Sequence, residues 1–236
     1  VAHRERERLD LTGKGERDVF MLLDREGLKV YRPPFPAGTT LQGFFVFDDT
    51  VGPAFVVDGR LTLRATNTVL TQLYGHFLMD HDPYEIRLVL AGAAAASARS
   101  LRGRHFAVAF LVGREELASY LRALNWTPGD PVTPQLFEHL SVYFEVDPPT
   151  IATRLLSLGL LEADEPAFEA LAIDAPVSEE VTSVPDRFVR LALEAHSRGG
   201  LSVPELARYL ETDVPSARRL ATQFRGPELD SPNPAG

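Results

Sequence analysis

Leu70-Thr71-Gln72-Leu73-Tyr74-Gly75-His76-Phe77-Leu78-Met79 lies inside a longer helical pattern, from about Leu61 to Met79, around which the first half of the chain is arranged. Val69, Leu70, Leu73 and Phe77 recur at the spacing of one apolar helix face, and Gln72 and His76 adjoin it. Asp82-Pro83 is the expected stop. Upstream, Leu28 to Tyr31 reads as a strand closed by Pro33-Pro34. Leu41 to Phe47 and Ala54 to Val57 flank the turn residues Asp48 to Pro53, the signal of a hairpin. A short amphipathic helix from about Glu16 to Arg25, stopped by Gly27, precedes them. Downstream, helices are expected from about Ala91 to Leu111 and from Arg114 to Leu124.

Composition bounds what this chain can be. Its 236 residues, 44% of them hydrophobic, suffice for a substantial core, and the absence of cysteine excludes disulfides and thiolate metal sites. The longest apolar run, Leu88 to Ala98, is far shorter than the roughly 20 residues of a membrane helix. The run Arg4-Glu5-Arg6-Glu7-Arg8 reads as a mixed-charge, solvated helix face with no signal-peptide segment behind it. A cytoplasmic protein with no membrane partner is expected. The net charge of -9 counts against general affinity for nucleic acid while leaving room for local basic patches such as Arg99, Arg102 and Arg104, or Arg218 and Arg219.

After Asn125-Trp126-Thr127-Pro128 the chain changes to short helical pieces broken by prolines, and two of these echo each other. The segment from Leu140 to Thr150 aligns without gaps on that from Leu206 to Ser216. In each, an apolar helix ends at Phe144 or Leu210, a tight turn follows, and Asp147 or Asp213 stands where the next helix needs an N-cap. Both read as helix-turn-helix shapes. The expected division is 1–128, a helix-turn-helix-like segment over 129–165, a linker over 166–185, a second helical segment over 186–226 and a tail over 227–236. The fold class is α+β, mostly helical, with a small antiparallel hairpin sheet packed on helices.

The motif at Gln72 carries chemistry by what it lacks. In H-E-x-x-H, two imidazoles four apart on one helix face hold zinc, and the adjoining glutamate acts on the metal-bound water. Here Gln72 and Leu73 occupy the first two positions and only His76 remains. One imidazole does not hold zinc, and Leu73 cannot accept a proton. Asp80 and His81 read as a polar helix end, His105 as a surface or partly buried histidine, and His76 itself as packed or hydrogen-bonded against the hairpin.

Taken together, the hairpin Gly43 to Val57, the helix Leu70 to Met79 and the segment Arg104 to Glu116 resemble the ImmA/IrrE family of zinc-dependent peptidases. In that family the helix reads H-E-x-G-H-x-L, and a third ligand, a glutamate, precedes the phenylalanine matched by Phe106; Ser100 stands there in this chain. Pro134 to Leu160 is similar to the helix-turn-helix that follows the peptidase domain, and Phe188 to Leu220 to a C-terminal segment of members with an N-terminal XRE-type DNA-binding domain. Val1 reads either as an alternative start or as a cut, and for a cut the resemblance implies such a domain before it.

The resemblance implies a gluzincin-like scaffold with a degenerate site at Gln72, Leu73, His76 and Ser100, no catalytic residues, no metal and no cofactor. The expected function is a noncatalytic transcriptional or stress-response regulator that senses a ligand or partner and binds DNA or an XRE-type repressor, with homodimerisation compatible. Thr150, Thr153 and Arg154 on one helix, and Ser216, Arg218 and Arg219 on the other, are the expected contacts. The alternative is a zinc-dependent peptidase that cleaves an XRE-type repressor through a relocated metal site.

Overall fold

The structure, a computed structural model, describes residues 1–11, 19–48, 50, 52–80, 86–90, 98–161, 184 and 186–224. The fold is α+β and about 59% helical, with ten helices and one mixed four-stranded sheet among the described residues. The chain divides into two compact units, Val1–Val181 and Thr182–Gly236. The expected boundary at 128 falls inside the first unit. The expected linker, apart from 184, and the expected tail lie outside the described residues.

The first unit opens with α1 (Ala2–Arg8) and α2 (Val19–Arg25), the latter ended by Gly27 at a φ of 74°. Strands β1 (Lys29–Tyr31), β2 (Leu41–Asp48) and β3 (Gly52–Val57) follow as expected. The sheet is not purely antiparallel: its order is β1-β3-β2-β4, and β1 runs parallel to β3. β4 (Arg87–Leu90) pairs antiparallel with β2 inside a stretch that reads as an undivided apolar run. Its alternation, Arg87 and Val89 inward and Leu88 outward, extends over too few residues to stand out from the alanines after it. The helix expected from Ala91 is described only from Ala98, as α4 (Ala98–Leu111).

α3 (Leu63–Asp80) is the central element, buried on nearly every side from Ala65 to His76. It reaches the sheet because Gly43 of β2 has no side chain: a Cβ there would stand 2.9 Å from Val69. Leu70, Leu73 and Phe77 then pack with Phe45, Phe55, Val57 and Val89 of the inner sheet face. Phe77 meets Phe45, Phe55 and Tyr74, and Tyr74 meets Phe106 and Phe110 of α4, so one aromatic cluster joins sheet, α3 and α4.

The charged start is not a solvated face. Glu5 is buried, and accepts from Arg8 and from the hydroxyl of Tyr74. Arg6 donates to the carbonyl of Phe110 at the end of α4, to that of Leu11 at 2.7 Å and to Glu116 at 3.2 Å. Carbonyls left open at a helix end are thus satisfied by a guanidinium carried on α1.

α5 (Arg114–Ala123), α6 (Pro134–Phe144) and α7 (Pro148–Ser157) share one core built on Leu117, Leu121, Phe137, Leu140, Ile151 and Leu155. That shared core is why 128 marks no boundary. In the second unit, α8 (Asp186–Ser197), α9 (Val203–Tyr209) and α10 (Val214–Gln223) close over Leu193, Leu206, Leu210 and Ala217.

The echo between the two helix pairs holds at the level of backbone hydrogen bonds. The N–H of Val146 donates to Ser141 O and that of Glu145 to Val142 O; the N–H of Thr212 donates to Ala207 O and that of Glu211 to Arg208 O. Glu145 and Glu211 both adopt the left-handed conformation, at φ 53° and 51°. Asp147 accepts from the N–H of Thr150, and Asp213 from that of Ser216, as N-caps.

Candidate functional site

Gln72, His76 and Asp80 lie four apart along α3, on one row of the helix. His76 is 3% exposed, and its partner is not the hairpin: Nδ1 lies 3.1 Å from Oδ2 of Asp80. With Asp80 ionised, Nδ1 is the donor. Nε2 lies against Gly103 of α4, so closely that a Cβ on that glycine would stand 2.5 Å away. Gly75 meets α4 in the same manner, since a Cβ there would stand 2.6 Å from the Phe106 ring. The glycine beside the histidine is therefore what lets two helices touch.

Asp80 does not merely solvate a helix end. Its side chain is buried and binds Arg102 as well as His76, while its carbonyl accepts from Arg87 at 2.9 Å. Burial raises the pKa of this carboxyl, but the bond from His76 and the charge of Arg102 outweigh it and hold the group below the usual carboxylate range. For His76, burial lowers the pKa and the contact with Asp80 only partly offsets that, so the ring stays neutral below its ordinary value.

The four residues expected to mark a degenerate site spread along α3 and α4. Leu73 is fully buried in the core. α3 and α4 run antiparallel, with Gly75 on Phe106, His76 on Gly103 and Asp80 on Arg102. Ser100 is thereby set toward the Asp80 end of α3, and Gln72 toward the opposite end. Among the described residues, no group of three or more His, Cys, Asp or Glu is placed to hold a metal ion. His81, Asp82 and Glu85 lie outside the described residues, and His105 is exposed.

The residues expected to face DNA or a partner separate into different settings. Thr150 is buried, its hydroxyl 3.2 Å from that of Thr68 on α3, and the side-chain amide of Asn67 donates to the carbonyl of Glu145 at 3.0 Å. The first helix pair is thus docked on α3 through its turn and the start of α7, and Thr150 lies inside that contact. Thr153 bonds back to Pro149 O at 2.8 Å. Arg154 is half-buried in a cleft beside His3, Arg6 and Arg114. In the second unit Ser216 is buried and accepts from Arg219 at 2.8 Å, so it too presents nothing outward. Arg218 and Arg219 are exposed and, with Thr222, Gln223, Val214 and Pro215, line a groove of about 450 Å³ along α10.

No helix among the described residues is long and apolar enough to cross a membrane. Compared with protein-family models, with curated proteins and with solved structures, the chain matches none.

Proposed function

We propose that this chain is a noncatalytic regulator: a peptidase-like helical body kept as a binding or sensing module, joined to a C-terminal three-helix unit that contacts DNA. The observation that carries the DNA half is the outer face of α10, the second helix of a helix-turn-helix-like pair, where Arg218, Arg219, Thr222 and Gln223 are all exposed and no acidic residue lines the groove. Guanidinium, hydroxyl and amide groups on a short exposed helix can reach phosphates and base edges. The noncatalytic half is supported by His76, whose Nδ1 is engaged by Asp80 and whose Nε2 is pressed against α4.

The test is a salt titration of the full chain on duplex DNA. Binding that weakens steeply with salt, and that Arg218→Gln reduces, supports the reading. Binding absent at low salt removes the DNA half, and co-purification with an XRE-type repressor then takes its place. The peptidase alternative makes a separate demand, zinc near one per chain that is lost on His76→Ala. A metal-free protein that cleaves nothing ends it.

A further inference from the structure

The first unit holds a cationic feature of its own. α1, the α4–α5 junction and α7 enclose a cleft of about 450 Å³, whose charged lining is His3, Arg6, Arg114, Arg154 and Glu115. These residues come from distant parts of the sequence, so no motif shows them together. Arg6 is held in place by the carbonyls of Phe110 and Leu11 and by Glu116. His3 pairs with Glu7 at 3.5 Å. Arg114 and Arg154 are different: among the described residues neither side chain has an ion pair or a hydrogen bond, and Nε of Arg154 is buried without a partner.

This is an unfavourable arrangement for a protein without a ligand. A buried donor with no acceptor costs free energy, and like charges in a cleft raise that cost. Burial, and then the nearness of Arg114 and Arg6, pull the pKa of Arg154 down. The first turn of α5 adds to the field, because its N-cap is Gly113, which has no side chain to accept from the N–H groups there. Gly113 also lets Arg6 approach: a Cβ in its place would stand 2.6 Å from the guanidinium.

We propose that this cleft binds a small phosphate-bearing anion. Its volume lies in the range of small-ligand sites. Arg6 is already balanced by Glu116, which leaves Arg114 and Arg154 set against Glu115, a cationic excess that attracts one phosphate, which carries about -1.5 to -2 at pH 7. Guanidinium groups match phosphate oxygens two at a time. Glu115 on the lining, and a net charge of -9 on the chain, favour a compact anion over a nucleic-acid strand. The site needs neither the DNA reading nor the noncatalytic one.

Isothermal titration of the full chain with inorganic phosphate, pyrophosphate and adenosine diphosphate at fixed ionic strength tests it. One saturable site per chain is expected, weakened about tenfold or more by Arg114→Gln and by Arg154→Gln, and unchanged by Arg122→Gln, an exposed arginine of α5 outside the cleft. Arg114 is exposed, so its substitution reports on the cleft even if the Arg154 variant folds poorly. Binding of phosphate or pyrophosphate supports the proposal and assigns the recognition to the phosphate group. Binding of the nucleotide alone supports it and adds the nucleoside. No saturable binding with any of the three, binding indifferent to both cleft variants, or an Arg114→Gln effect confined to duplex DNA overturns it.

Discussion

Gly103 of α4 lies directly against the His76 ring of α3, with room for a hydrogen but not for a methyl group between them. Two effects oppose each other on Gly103→Ala. Alanine gains about 1 kcal/mol over glycine in a helix interior, whereas forcing a carbon into a filled space costs about 1–3 kcal/mol. His76 is held by Asp80 and buried on all sides, so it cannot swing clear, and the clash wins. Gly103→Ala should lower stability by about 1–2 kcal/mol, and Gly75→Ala, against Phe106, by a similar amount. Denaturant melts measure both, and an unchanged or raised midpoint for Gly103→Ala would show that the two helices are not in contact there.

His76 also sets the response to acid. Its pKa in the fold lies below the ordinary 6.5, so the unfolded chain takes up a proton that the folded chain refuses. The resulting stability is whole above about pH 6.5 and is lost as pH falls from there toward the folded value. Asp80, held below 3.8, has the same sign, but its contribution survives until the carboxylate range is reached. From pH 6.5 down toward the carboxylate range the histidine is therefore the group that matters in this pair. His76→Gln should flatten the fall in stability over that window while leaving in place the part of the loss at lower pH that the charge of Arg102 on Asp80 supplies. Melts across the window read it directly, and an unaltered slope counts against a neutral buried ring.

How much of this was legible beforehand follows a physical line. The hairpin, α3 and the twin helix pairs were readable because each rests on local signals: turn residues, a period, an aspartate before a helix. Asp80 as the partner of His76 was also within reach, since four-residue spacing on a helix places them together, but the neighbouring Asp82-Pro83 suggested a frayed, solvated end. β4 was hidden by its shortness, and the parallel pairing of β1 with β3 by the absence of any local mark for strand direction. The cleft of Arg6, Arg114 and Arg154 could not be foreseen at all, because it depends on α1 folding back over the end of α4. The same contact explains why a run that looks like a soluble charged face instead has Glu5 buried under Tyr74.

The two helix pairs should behave differently toward DNA. α7 has Thr150 committed to Thr68 and Arg154 turned into the cleft, whereas α10 leaves Arg218 exposed. Arg218→Gln should reduce the salt slope of DNA binding by about 1 and weaken binding almost uniformly across sequences, the behaviour of a phosphate contact. Thr150→Ala should leave DNA affinity untouched. If Thr150→Ala weakens binding as much as Arg218→Gln does, the division of labour drawn here is wrong.

The repeated turn offers a comparison within one molecule. Asp147 and Asp213 each cap a helix start through one backbone N–H, at 2.8 and 2.7 Å, so replacing either with alanine should cost about 1 kcal/mol. Glu145 and Glu211 sit in the left-handed region, where a side chain costs about 1–2 kcal/mol that glycine escapes, less the greater chain entropy glycine loses on folding. Glu145→Gly and Glu211→Gly should therefore each stabilise by about 0.5 kcal/mol. Because the chain folds as two units, each change should register mainly in its own: Asp147→Ala in the amide exchange of α6 and α7, Asp213→Ala in that of α9 and α10. Among the described residues the second unit has the smaller core, so the same lost hydrogen bond should open it more widely. Equal exchange changes in both pairs after either substitution would mean that the repeat shares its sequence pattern and its turn geometry but not its independence.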